Sequence, residues 1–107
     1  MAIKKVSFDY DGVLTTKAGV ETLDRWKATG DEIYILTARP DRMMGPVYEF
    51  AREHGITRGR VLQAKVGHKW EVVKRYGLDK HVDNNQDELD LILKNTQASA
   101  WNVSRLS

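Results

Sequence analysis

The stretch Phe8-Asp9-Tyr10-Asp11-Gly12-Val13-Leu14-Thr15 places two carboxylates two positions apart, where an apolar segment ends at a glycine. The apolar residues before Asp9 are typical of a short buried strand, and Gly12 marks the break after it. Residues i and i+2 of a strand share a face, so we expect Asp9 and Asp11 to point into one crevice. Two carboxylates this close need a cation or a shared proton. The pair therefore predicts a metal site or a nucleophile with an acid/base partner, although a plain polar turn has the same residues.

Short strand-like runs alternate with helical ones along the chain, which indicates a parallel sheet with helices on both faces. Strands are predicted at Lys4–Asp9, Glu32–Thr37, Arg60–Gln63, His81–Asp83 and Ala98–Val103. Helices are predicted at Val20–Thr29, Asp41–His54, His68–Tyr76 and Asp87–Lys94. The predicted fold class is therefore α/β, a three-layer, Rossmann-like domain with a parallel sheet of about five strands.

Length and composition restrict the kind of protein. The 107 residues predict one domain spanning residues 1–107. The absence of cysteine excludes disulfides, a thiolate nucleophile and a cysteine zinc site. No apolar run has membrane-spanning length and the N-terminus has no signal-peptide core, so we expect a cytoplasmic protein without membrane contacts.

Charge is distributed unevenly along the chain. The net charge of +2 is too small to indicate nucleic-acid binding by itself. Residues 39–75 hold nine Lys or Arg against four acids, whereas residues 79–94 hold five acids against two lysines. A basic region beside an acidic one suits an anionic substrate held next to a metal, and it equally suits ordinary solvated helix faces.

Polar residues follow each predicted strand at its carboxyl end, where open α/β sheets bind their ligands. The first strand is followed by two carboxylates, the second ends in a hydroxyl, the third precedes a lysine, and the fourth ends in a carboxylate. These residues are Asp9, Asp11, Thr37, Lys69 with Lys65 as an alternative, Asp83 and Asp87. We expect them to converge on one crevice.

Four segments in the same order resemble the motifs of the haloacid dehalogenase-like (HAD) phosphohydrolase superfamily. Asp9-Tyr10-Asp11-Gly12-Val13 resembles its first motif and Ile33-Tyr34-Ile35-Leu36-Thr37 its second. Lys69 is similar to the lysine of the third, and Asp83-Asn84-Asn85-Gln86-Asp87 to the fourth. The resemblance covers nearly the whole chain and implies a Mg²⁺-dependent phosphatase, a phosphoric monoester hydrolase.

The resemblance also implies roles for the catalytic residues. Asp9 would attack phosphorus and form an aspartyl-phosphate, and Asp11 would act as general acid and base. Thr37 would hydrogen-bond a phosphoryl oxygen, and Lys69 would neutralise charge on Asp9 and on the phosphoryl group. Lys65 is the alternative for the lysine, because it lies four residues earlier.

The same resemblance implies a Mg²⁺ site. The metal would be held by Asp9, the backbone carbonyl of Asp11 and Asp83, with Asp87 on a metal-bound water. Many members of the superfamily have two adjacent acids in the fourth motif, whereas here Asn84 follows Asp83. This departure leaves the exact ligand set open.

No segment between the motifs is long enough for the cap domain that many members carry. An open crevice implies a large substrate, such as a nucleic-acid end phosphate or a phosphoprotein, or else a lid from a partner or a second subunit. Ala38 and Arg39 follow the motif threonine and are expected to contact the substrate. Arg39 would bind a second phosphate or a neighbouring phosphodiester, and pairing with helix acids is the alternative.

Two other interpretations remain open at this point. The chain would otherwise be a catalytically weak module of the HAD fold that binds metal and phosphate together with a partner protein. A response-regulator receiver domain also combines an acidic cluster with Thr and Lys. Receivers carry the phospho-accepting Asp on a later strand, before the Thr and the Lys, whereas Thr37 lies on the second predicted strand.

Overall fold

A computed structural model describes residues 3–106 and shows a three-layer α/β fold around a five-stranded parallel sheet. The strands are β1 (Lys5–Phe8), β2 (Glu32–Thr37), β3 (Val61–Gln63), β4 (Lys80–Asp83) and β5 (Ser99–Asn102). The α-helices are α1 (Lys17–Ala28), α2 (Gly45–Glu53), α3 (Lys69–Tyr76) and α4 (Gln86–Asn95). The sheet order β3-β2-β1-β4-β5 puts β1 at the centre. The predicted fold class is confirmed, and no cap domain is present in residues 3–106.

Helices cover both faces of the sheet and bury an apolar cluster on each face. On one face, α1 and α2 pack on β1, β2 and β4 through a cluster that includes Phe8, Leu23 and Val47. On the other face, α3 and α4 contribute Val73 and Ile92 to a second cluster. No helix within residues 3–106 is both long and apolar enough to cross a membrane.

The second helix begins later than the sequence predicted. A single helix was expected over Asp41–His54, but a short 3-10 turn at Asp41–Met43 precedes α2, which starts at Gly45. Pro46 explains the break, because its ring excludes a hydrogen bond to the preceding turn and is accepted only in the first turn of a helix.

The chain leaves β1 through a turn that α1 holds in place. Gly12 has φ 77°, a left-handed conformation that favours glycine, and its N–H donates to Thr15 Oγ1 at 2.9 Å. Thr16 caps α1 by accepting from Gly19 N at 3.1 Å, and its hydroxyl donates to Val13 O at 2.6 Å. The first turn of α1 therefore packs directly on the turn that carries Asp11.

This packing predicts an unusual response to an alanine substitution. A Cβ at residue 19 would collide with the Val13 carbonyl group, whose carbon would lie 2.6 Å away. Gly19→Ala should therefore lower the free energy of unfolding by roughly 1–3 kcal/mol, the usual cost of overpacking. Helix propensity alone predicts a gain of up to about 1 kcal/mol. Urea unfolding of the variant and the wild type measures whether the free energy of unfolding falls or rises.

Gly45→Ala is the matched control, because Gly45 opens α2 and a Cβ there meets nothing within 4 Å. Its stability should stay equal to the wild type or rise slightly. A Gly19→Ala protein as stable as Gly45→Ala would contradict the packing of α1 on the turn.

Candidate functional site at the carboxyl edge of the sheet

The polar cluster lies where β1 and β4 run side by side. The chain passes from β1 to β2 on one side and returns to β4 on the other, so the carboxyl ends of β1 and β4 form the switch point of the sheet. Asp9 follows β1 and its N–H donates to Val82 O at 2.9 Å, while Asp83 ends β4. Backbone pairing therefore holds the two carboxylates next to each other.

A buried lysine joins these two carboxylates. Lys69, the first residue of α3, is 3 % exposed. Its Nζ lies 3.1 Å from Asp9 Oδ1 and 2.8 Å from Asp83 Oδ2. Burial opposes the charge on Lys69, but the two carboxylates outweigh burial and raise its pKa above the usual value. Lys69 is therefore an ammonium at neutral pH.

The two aspartates differ in how well their charges are compensated. Burial is the largest influence on Asp9; together with the neighbouring charge of Asp83 it exceeds the effect of Lys69 and raises the pKa of Asp9 to about 7. Burial also opposes ionisation of Asp83, but hydrogen bonds and charges from His81 and Lys69 hold its pKa below the usual range. Near neutral pH, Asp83 is ionised and Asp9 is partly protonated.

His81 and Ser7 support Asp83 from inside the sheet. His81 Nε2 lies 2.8 Å from Asp83 Oδ2, and its Nδ1 lies 2.7 Å from Ser7 Oγ. Burial lowers the pKa of His81, so the ring is neutral, with Nε2–H donating to Asp83 and Nδ1 accepting from Ser7. Sequence reasoning missed His81, although its position two residues before Asp83 on a strand places both on one face.

Asp11 does not share the position of Asp9, which corrects the prediction of two carboxylates on one strand face. The strand ends at Phe8, so the alternation of faces no longer applies. The Asp11 carboxylate instead accepts two hydrogen bonds from Arg39, Nε at 2.9 Å and Nη2 at 2.8 Å. This pairing lowers the pKa of Asp11 below its usual value.

Thr37 is fully buried at the end of β2, where its Oγ1 accepts from Arg39 N at 3.2 Å. Ala38 and Arg39 line the pocket, whereas Thr37 lies behind them. Arg39 is fixed by Asp11 and by a hydrogen bond from its Nη1 to Met43 O at 3.0 Å. Its guanidinium therefore stands at the rim of the pocket.

Besides Thr37, two more predicted residues lie outside the pocket. Lys65 is exposed in the loop before α3. Asp87 is exposed in the first turn of α4, where its N–H donates to the Asn85 side chain at 3.0 Å. Glu88, the next residue, is buried and accepts from Gly67 N at 3.0 Å. Sequence reasoning missed Glu88, because the helix phase that turns it inward depends on where α4 begins.

The pocket itself has a volume of about 320 Å³. It is lined by Asp9, Asp11, Ala38, Arg39, Val66, Lys69, Asp83, Asn84, Asn85 and Glu88. A larger groove of about 660 Å³ lies between the C-terminal ends of α3 and α4, but its lining has no comparable group of buried charges. The concentration of buried charge favours the smaller pocket as the functional one.

Three oxygen atoms in this pocket lie around the Asn84 side chain. The Asn84 amide is oriented so that its nitrogen donates to neighbouring oxygens. This nitrogen lies 3.2 Å from each of Asp9 Oδ2, the backbone carbonyl of Asp11 and Asp83 Oδ1. Residues 3–106 contain no group of three His, Cys, Asp or Glu side chains that could hold a metal alone. The convergent set is two carboxylates and one carbonyl, a donor chemistry that Mg²⁺ accepts.

Comparisons with known proteins show the fold and do not identify a family. No family model matches the chain, and no curated protein matches it. One solved structure that it resembles is titled "Crystal structure of universal stress protein in complex with cAMP", with a TM-score of 0.54 and 18% sequence identity. The match covers 95% of this chain and 97% of that chain.

These findings overturn the resemblance to the HAD superfamily. The predicted phosphatase activity through an aspartyl-phosphate was wrong, and so was the alternative of a weakly active HAD module, because the structural neighbour is a universal stress protein. The four motifs are short, and open α/β folds in general gather polar residues at the carboxyl ends of their strands.

The raised pKa of Asp9 predicts a pH dependence of stability in the absence of divalent cations. Between about pH 4 and pH 7 the folded protein holds a proton on Asp9 that the unfolded chain releases, so this group contributes less stability as pH rises. Neutral, buried His81 has the opposite effect. Asp9→Asn removes the effect of Asp9 and leaves that of His81. The free energy of unfolding of the variant, relative to wild type, should therefore rise from pH 4 to pH 7.

Urea unfolding in buffer with chelator, repeated at several pH values, measures this difference. Asp87→Asn is the matched control, since Asp87 is exposed and outside the pocket, and its stability relative to wild type should stay constant. A constant difference for Asp9→Asn as well would show that Asp9 titrates normally.

Proposed function

We propose that this chain binds Mg²⁺ and, with it, the phosphate group of a nucleotide or another phosphorylated ligand in the pocket at the carboxyl ends of β1 and β4. The observation that carries the proposal is the convergence of Asp9 Oδ2, the Asp11 carbonyl and Asp83 Oδ1 on one point beside Lys69. The proposal concerns binding and includes no chemical step.

The charges of the pocket explain why a cation is needed. Four carboxylates line it, those of Asp9, Asp11, Asp83 and Glu88, against two cations, Lys69 and Arg39. An anion entering alone would meet net negative charge at short range. A divalent cation on Asp9 and Asp83 balances that charge, so phosphate binding should depend on the metal.

The state of Asp9 supports the same conclusion. A buried carboxylate whose pKa rises to about 7 lacks enough positive charge around it. Lys69 serves both aspartates, and Asp83 has a second partner in His81. A bound cation would supply the positive charge that Asp9 lacks.

Arg39 and the open pocket point to the ligand. The Arg39 guanidinium is half-buried at the rim, and its fork geometry suits phosphate as well as carboxylate. A protein of the same fold is described in complex with cAMP, which supports a nucleotide as the ligand here. Nucleic-acid ends and phosphoproteins also carry phosphate groups and stay proposed ligands. A lid from a partner or second subunit stays a proposal as well. A cytoplasmic location also stays a prediction.

The proposal predicts phosphate binding that requires Mg²⁺ and Arg39. Isothermal titration with AMP, cAMP, a 5′-phosphorylated oligonucleotide and a phosphoserine peptide, each with and without Mg²⁺, identifies the ligand class. Binding should occur only with Mg²⁺, and Arg39→Ala should weaken it roughly tenfold, the loss expected for charge-assisted hydrogen bonds.

Arg42→Ala is the matched control, because Arg42 is exposed on the adjacent turn and does not line the pocket. It should bind like the wild type. Equal losses in both variants would indicate a general charge effect, and failure of every phosphorylated compound to bind in the presence of Mg²⁺ would overturn the proposed function.

A further inference from the structure

Asn84 occupies the point on which the oxygens of the pocket converge. In the amide orientation that lets Asn84 donate to its neighbours, its nitrogen lies 3.2 Å from each of Asp9 Oδ2, the Asp11 carbonyl and Asp83 Oδ1. A cation bound by these three oxygens would have to take the same place. The Asn84 side chain therefore fills the place that the proposed cation would take.

We propose that Asn84 is a built-in competitor that fills the cation site in the cation-free protein and sets its affinity for Mg²⁺. The inference rests on the proposed function, because it assumes that the three oxygens bind the metal. In the cation-free state the Asn84 amide donates to oxygens that would otherwise repel one another. On cation binding its carboxamide leaves the site.

The distances favour competition over direct ligation. Mg²⁺ requires its oxygen ligands at about 2.0–2.1 Å. The three oxygens therefore have to close around the metal by roughly 1 Å each, which leaves no space for an amide at the centre. A ligand lies beside the metal, whereas this amide lies at the point of convergence itself.

The surroundings of Asn84 allow its side chain to leave while the backbone stays in place. Asn84 is exposed, so its carboxamide can turn into solvent. The backbone is anchored through Asn85, whose N–H donates to Asp83 Oδ1 at 3.0 Å and whose side chain caps α4. The Asn84 carboxamide lies over Gly12, where a Cβ would come within 2.7 Å of Asn84 Cγ.

Asn84→Ala tests the inference by a binding constant and a stability measurement. Removing the competitor leaves the oxygens unpaired in the cation-free state, so Mg²⁺ should bind roughly tenfold more tightly in isothermal titration at pH 8. In chelator the variant should melt at a lower temperature than the wild type, and Mg²⁺ should raise its melting temperature by more than it raises that of the wild type.

Asn95→Ala is the matched control, because Asn95 lies at the end of α4, away from the pocket. Its Mg²⁺ affinity should equal that of the wild type. Unchanged or weaker Mg²⁺ binding by Asn84→Ala, with a wild type that binds, would overturn the inference alone. Absence of Mg²⁺ binding by the wild type and the variant would overturn the proposed function and, with it, this inference.

Discussion

The Lys69 ammonium between Asp9 and Asp83 is the interaction on which the rest of the site depends. It lies 3.1 Å from one carboxylate and 2.8 Å from the other, and all three groups are buried. Removing one member of such a group leaves an uncompensated charge in the interior, which costs several kcal/mol. The same charges support the proposed cation site at the carboxyl end of this sheet: one lysine serves two carboxylates, and the compensation is incomplete at Asp9.

The sequence predicted most of the fold, because hydrophobic periodicity and glycine positions depend on local residues. β2 has the predicted bounds, since Ile33 to Leu36 are apolar without interruption. The late start of α2 was missed because Pro46 outweighed the helical pattern before it. α1 begins earlier than predicted because Thr16 caps it, a signal that was present in the sequence.

The candidate site was only partly predictable. The order of strands brings Asp9, Lys69 and Asp83 together, as expected from the rule that polar residues gather at the carboxyl ends of parallel strands. The directions of side chains beyond the strand ends do not follow from that rule. Asp11 turns to Arg39, and Glu88 rather than Asp87 enters the pocket. Because polar residues gather at strand ends in open α/β folds generally, four short motifs resembled the HAD superfamily, and the inference drawn from them was wrong.

Paramagnetic broadening by Mn²⁺, which shares the octahedral oxygen coordination of Mg²⁺, locates a cation bound between β1 and β4. In ¹⁵N–¹H correlation spectra, substoichiometric Mn²⁺ should first broaden the amide signals of Asp9, Asp11, Gly12, Asp83 and Asn84, and excess Mg²⁺ should restore them. Broadening confined to exposed acids such as Asp87 and Asp90, or none at all, would contradict a cation site between β1 and β4.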